Sequence, residues 1–205
     1  MTTHAVIHLV DDDESLRNAV QRLLTAAGYR VRTYASAGDF LLEPPVDAPG
    51  CLLLDLRMPG PSGLDLQEAL KRHEVRLPVI FLTGHGDLPT GVRAIQAGAV
   101  DFLTKPVERE TLFAAVAQAL ELDAAQRAVR STHSDLHRKY AQLTARERAV
   151  LEGIVAGKLN KQIAGDLGVA ERTVKAQRAQ VMAKLGATNA AELGRIAAQL
   201  RERGA

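Results

Sequence analysis

The chain is predicted to fold in two parts of different class: an α/β doubly wound domain around a five-stranded parallel sheet, joined by a helical linker to an all-α four-helix domain. Three observations carry the prediction. Short apolar segments alternate with helically spaced ones up to Thr111, where the strands stop. Near the C-terminus a short helical pattern, a glycine and a longer basic helical pattern follow one another. Charge changes sign along the chain: residues 1–120 hold 11 Lys and Arg against 15 Asp and Glu, whereas 121–205 hold 15 against 9. That split joins an acidic module to one that meets something anionic.

The strand candidates are AVIHLV (5–10), YRVRTY (29–34), CLLLDL (51–56), PVIFLT (78–83) and VDFLTK (100–105). Between them lie ESLRNAVQRLLTAAG, AGDFLLE, GLDLQEALKRH and PTGVRAIQAGA, each with helical spacing, then a long helix from about Glu108. The first, third and fourth strands are almost wholly apolar, as strands covered on both faces must be. Five βα units of this length suit a flavodoxin-like domain over 1–121. Asp13 and Glu14 stand where the first helix needs its N-terminal acidic residues.

The stretch from Leu112 to Leu143 has neither proline nor glycine, and Leu122, Val129, Leu136 and Tyr140 recur at roughly heptad spacing. It reads as a linker helix over 122–142, either solvated or paired with a copy of itself. From 143 to 205 four helices are expected. Thr144 and Glu147 form a capping box, Gly157 stops the first helix, Gly168 ends the second, and Asn189 caps the last.

No apolar run approaches the roughly 18 residues of a membrane span. The N-terminus MTTHAVIHLV lacks the basic start and long apolar stretch of a secretory signal. Cys51 is the single cysteine, so no internal disulfide forms. A cytoplasmic protein without a membrane partner is expected.

Polar residues stand at the carboxyl ends of four predicted strands: Asp11 and Asp12, Asp55, Thr83 and Lys105. In an open parallel sheet those ends converge on the ligand crevice. Clustered carboxylates repel unless a cation compensates. An oxygen-only set points to Mg2+, which keeps waters and leaves room for a phosphate oxygen.

The motifs VDDDESLR, LDLRMPGPSGLDL, FLTGHGDLP, AGAVDFLTKP and LTARERAVLEGIVAGKLNKQIAGDLGVAERTVKAQRAQVMAKL occur in this order across nearly the whole chain. In them the sequence resembles the response regulators of two-component signalling, a receiver domain followed by a LuxR-type helix-turn-helix, in the FixJ and NarL group. The resemblance implies that Asp55 is the phosphoacceptor, taking its phosphoryl group from a sensor histidine kinase. Asp11, Asp12, Asp55 and the backbone carbonyl of Arg57 then hold Mg2+, and Lys105 supplies a second positive charge. Thr83 and Phe102 form the switch, and phosphorylated receivers pair through the fourth helix and fifth strand, from Pro89 to Phe102. Glu171 to Leu185 is the recognition helix for double-stranded promoter DNA, with Val174, Val181 and Leu185 packed inward. Asn160, Lys161, Arg172, Thr173, Lys175, Ala176, Gln177 and Arg178 are the candidate DNA contacts, and Gln177 either reads adenine or touches nothing. RNA polymerase is a further partner that the resemblance allows, and activation is the commoner outcome in the family.

Two positions depart from the LuxR-type pattern: Ala170 replaces the usual serine before the recognition helix, and Gln177 replaces a histidine. Losing a hydroxyl cap costs roughly 0.5 to 2 kcal/mol. Aspartate nucleophiles at strand ends also serve phosphatases of the haloacid-dehalogenase type, which carry a second aspartate two residues later. Arg57 stands there and no cap insertion is present, so an enzyme with turnover is not expected. A dimeric DNA-binding regulator independent of phosphorylation is the other reading.

Overall fold

The computed structural model describes residues 5–45, 47–84 and 88–201. The N-terminal MTTH and the residues 85–87 of FLTGHGDLP lie outside the described residues. Two compact units meet between Gln126 and Arg127.

In the first unit β1 (Val6–Val10), α1 (Glu14–Ala26), β2 (Arg30–Tyr34), α2 (Ala37–Leu42), β3 (Gly50–Asp55), α3 (Gly63–Arg72), β4 (Val79–Thr83), α4 (Leu88–Gln96) and β5 (Asp101–Thr104) alternate, and α5 (Arg109–Ala141) follows. The strands form a five-stranded sheet in the order β2-β1-β3-β4-β5, and every pairing is parallel. The period of two along each strand sorts the apolar side chains to opposite faces. Leu52, Leu54, Val79 and Phe81 pack with Phe40, Leu66, Leu70 and Ala94 of α2, α3 and α4. Cys51, Leu53, Ile80 and Leu82 face Val20 and Leu24 of α1 and Leu112, Val116 and Ala119 of α5. Burial on both faces explains why these strands read as continuous apolar runs.

Local chemistry sets the helix starts. Asp13 caps α1, its carboxylate accepting from Ser15 N at 2.9 Å and Leu16 N at 3.2 Å, while Glu14 lies in the first turn, where its charge favours the helix dipole. Ser62 and Asp65 cap α3 reciprocally.

One buried polar contact reaches across the unit. Asp123 of α5 accepts a hydrogen bond from the backbone N–H of Gly50, the first residue of β3, at 3.0 Å. Asp123 is buried, so the first compact unit includes α5 beyond residue 121.

The second unit takes the end of α5 together with α6 (Ala145–Val155), α7 (Asn160–Leu167), α8 (Glu171–Leu185) and α9 (Ala190–Arg201). Val150, Leu151, Ile154, Ile163, Val174, Val181, Leu185 and Leu193 make its core, with Tyr140 packed against them. Thr144 caps α6 in a box with Glu147, and Asn189 Oδ1 accepts from Glu192 N at 2.9 Å at the start of α9. Gly168 ends α7 in the left-handed conformation at φ 63°, which makes the tight turn of a helix-turn-helix. The heptad stripe divides between environments: Leu122 and Val129 are 39% and 59% exposed, whereas Leu136 is 8% exposed. The spacing therefore does not mark one uniform seam.

Candidate functional site

The strand order reverses direction between β1 and β3, which opens the crevice at their carboxyl ends. Asp11, immediately after β1, and Asp55, the last residue of β3, are both buried there. Lys105 reaches in from the end of β5, and its Nζ donates to Asp11 Oδ2 at 2.6 Å and to Asp55 Oδ2 at 2.8 Å. Asp12 is exposed at the rim, and each of Asp11, Asp12 and Asp55 places a carboxylate oxygen within 4.8 Å of the others. Thr83 is buried at the end of β4, one residue beyond Leu82, the register partner of Asp55. Phe102, half-buried on β5, packs against the core shared with α2, α3 and α4.

Backbone donors and a second cation complete the pocket. Asp13 N donates to Asp11 Oδ1 at 3.0 Å, and Arg57 N donates to Asp55 Oδ1 at 3.2 Å. Arg17 Nη1 donates to the Asp11 carbonyl at 2.6 Å. Gly63 is required where α3 begins, because a Cβ there would lie 2.3 Å from the Asp55 carbonyl oxygen. Lys105 N donates to Thr83 O at 2.6 Å and ties the end of β5 to β4. The Lys105–Pro106 bond is cis.

The electrostatics follow from burial and pairing. Burial lifts the Asp11 carboxyl above the usual range, and the bonds from Lys105 and Asp13 offset part of that rise. For Lys105 burial works downward, but the hydrogen bonds to Asp11 and Asp55 outweigh it and raise its pKa. Three carboxylates gather here and the Lys105 ammonium pairs with two of them, so a further cation is favoured. An all-oxygen donor set suits a hard divalent ion such as Mg2+, which receiver domains generally bind at such a pocket.

Arg17 was not singled out from sequence. Its signal was an arginine one turn into the helix that follows the acidic cluster. His8 was missed too: it is buried on β1, its Nδ1 lies 3.0 Å from Tyr34 Oη, and its ring stacks on Tyr34 and meets Phe40 edge-on. Burial, helped by Arg32, pushes its pKa down to about 4.

In the second unit α8 spans Glu171–Leu185, with Val174, Val181 and Leu185 buried. Lys161, Arg172, Lys175 and Ala176 are exposed, and Asn160, Thr173, Gln177 and Arg178 are half-buried. Arg178 Nη1 donates to Asn160 Oδ1 at 3.2 Å and pins the two helices of the motif together. Gln177 Oε1 is shut away from solvent with no hydrogen-bond partner among the described residues. Reading adenine therefore requires its amide to rotate. Ala170 stands at the N-cap of α8 without a side-chain bond. Lys184 Nζ binds the buried Glu147 carboxylate at 2.7 Å and holds α8 to the capping box of α6.

A doubly wound sheet with a lysine-bridged acidic pocket, followed by a helix-turn-helix unit, defines a two-part regulator. Residues 7–117 match the response regulator receiver domain, and residues 141–197 match the bacterial regulatory proteins of the luxR family. The chain belongs to the response regulators, in the group that joins a receiver to a LuxR-type DNA-binding domain and regulates transcription. It is 42% identical over 199 residues to Nodulation protein W of Bradyrhizobium diazoefficiens, covering 97% of this chain and 88% of that protein. Among solved structures, response regulator StyR matches with a TM-score of 0.88 at 43% identity, over 96% of this chain and 99% of that one. Full-length FixJ from B. japonicum matches with a TM-score of 0.60 at 37% identity, over 98% of both chains. Among the described residues no helix is long and apolar enough to cross a membrane.

Proposed function

We propose that the protein is a cytoplasmic transcription factor switched by aspartyl phosphorylation at Asp55. The observation that carries this reading is the Lys105 ammonium bridging the buried carboxylates of Asp11 and Asp55 at 2.6 and 2.8 Å, with Asp12 beside them. An Asp55 carboxylate oxygen attacks the phosphorus of a phosphohistidine on a sensor kinase. The P–N bond breaks, its electron pair remains on the imidazole, and an acyl phosphate forms on Asp55. Asp11, Asp12 and Asp55, with the Arg57 carbonyl, would hold Mg2+, which when bound supplies positive charge where two anionic partners meet. Lys105 is a compact cation already hydrogen-bonded to Asp55 and able to follow the phosphoryl oxygens.

The Thr83 hydroxyl then bonds the phosphoryl group, and Phe102 turns inward, so that phosphate selects one of two packings. Val92 and Ile95 on α4 are 54% and 47% exposed, which supports pairing of phosphorylated receivers through α4 and β5. Residues 122–142 serve as the linker between receiver and DNA-binding domain. A dimer presents two α8 helices to paired half-sites of promoter DNA, through Arg172, Thr173, Lys175, Ala176, Gln177 and Arg178, with Asn160 and Lys161 on the backbone. The outcome is activation of transcription, with RNA polymerase as a further contact.

The test is intact mass and light scattering with Mg2+ and acetyl phosphate, beside Asp55→Asn. The expected result is a gain of one phosphoryl group, absent in the variant, and a shift from monomer to dimer. A dimer throughout with no mass gain overturns the mechanism and leaves a constitutive DNA-binding regulator.

A further inference from the structure

Gly91 lies inside α4, buried, where glycine is a poor choice: relative to alanine it shifts an unfolding equilibrium by about fivefold. Its φ is not positive, so the backbone does not require it. Space does. A Cβ built on Gly91 would lie 3.2 Å from Phe102 Cδ1, 3.2 Å from Cε1 and 3.4 Å from Cγ, and these three are its nearest neighbours. The obstacle is therefore one aromatic ring, and it is the half-buried ring of β5 rather than backbone or a fully packed core residue. Gly153 is a contrasting case, where a Cβ would strike Ile163, a wholly buried core residue between α6 and α7.

We propose that Gly91 is a positioning residue for the receiver switch: the bare surface it leaves on α4 is the seat of the Phe102 ring, and filling that seat shifts the ring toward the interior beside Thr83. The proposal rests on the switch reading given above and adds the residue that sets its resting balance. A methyl group at 91 forces the seated ring to retreat by a few tenths of an ångström, whereas a ring turned away from α4 does not meet it. The substitution therefore penalises only the seated packing. Because phosphate and seat compete for the same ring, displacing the ring from the seat also shrinks the effect that phosphate has left to exert.

The experiment is a double-mutant cycle on the full-length protein with Gly91→Ala, Phe102→Ala and both together, with Phe102→Leu as the second ring-deleting variant should the alanine form fail to fold. Urea unfolding and the monomer–dimer constant, with Mg2+ and with or without acetyl phosphate, are read for each. The unfolding constant is expected to fall about fivefold on Gly91→Ala when the ring is absent and distinctly less when it is present. The ratio of dimerisation constants with and without phosphate is expected to fall at least about threefold in Gly91→Ala, and to be unchanged by the same substitution once the ring is gone. Equal falls in both backgrounds with an unchanged ratio overturn the proposal, since helix propensity alone then accounts for the residue. If no variant takes up a phosphoryl group, the reading of Asp55 fails separately. The unfolding cycle then decides Gly91 alone, coupling upholding the seat and additivity overturning it.

Discussion

The acidic pocket of the receiver and the helix-turn-helix face use charge in opposite ways. In the pocket two carboxylates are buried and an ammonium bridges them at hydrogen-bond distance. On the other face Lys161, Arg172 and Lys175 point into solvent. A buried charge is costly unless it is paired, so each one in the receiver implies a partner and a purpose. Exposed charges cost little, and their value arises only when a polyanion arrives. The contrast teaches that residue roles are sharply defined where desolvation enforces them and are shared among neighbours where it does not.

Acid should separate the two regions most strongly. His8, with a folded pKa of about 4 against an ordinary 6.5, binds fewer protons folded than unfolded between those values. Its contribution is fully present above pH 6.5 and is lost as pH falls toward 4, at up to about 1.4 kcal/mol per pH unit. Asp11, whose pKa is raised, works the other way in the acidic part of that window. His8→Gln isolates the histidine by flattening the slope. In the second unit Lys184 and the Thr144 N–H hold Glu147 below its ordinary 4.5, so its share is lost only below that pH. Urea unfolding of each unit across pH 4 to 7, followed by hydrogen exchange, is expected to show the receiver weakening first; equal weakening would erase the contrast.

Lys105→Met tests the pocket with a smaller effect. Removing the ammonium leaves Asp11 and Asp55 facing each other, and about 2 kcal/mol of stability is expected to disappear in metal-free buffer, less than for a fully buried pair because the pocket opens to water. Addition of Mg2+ should restore most of it, as read by urea midpoints with and without the ion.

On the DNA side Lys175→Ala should weaken binding by about 1 kcal/mol, nearly equally for specific and random duplexes, and reduce the salt slope by about 1. Fluorescence anisotropy over a salt series measures both; a selective loss on promoter DNA would make Lys175 a base reader instead. The smallest change is Ala170→Ser, which adds the missing cap to α8 and should stabilise by about 0.5 to 1 kcal/mol in thermal unfolding of the second unit.

Legibility in the sequence followed the same division. The first, third and fourth strands were readable because burial on both faces makes them apolar, and Asp11, Asp55 and Lys105 stood out because they stand at strand ends. The capping box of Thr144 and Glu147 was local enough to see. The Asp123–Gly50 bond spans 73 residues and the His8–Tyr34 contact 26, and no local spacing announces such pairs. The heptad stripe of α5 showed a repeat without revealing that Leu136 is buried while Val129 is exposed. Gln177 was legible as a polar residue of the recognition helix, but the burial of its carbonyl oxygen depends on neighbours that only the folded chain brings together.

For anyone building chimeras from this protein, the Asp123–Gly50 bond says where to cut. A receiver excised at residue 121 would leave the Gly50 N–H without its acceptor at the start of the strand that ends in Asp55. An orphaned buried donor of that kind costs about 1 to 3 kcal/mol. A module carried through Gln126 keeps the bond and takes its own fastening with it into any new output domain.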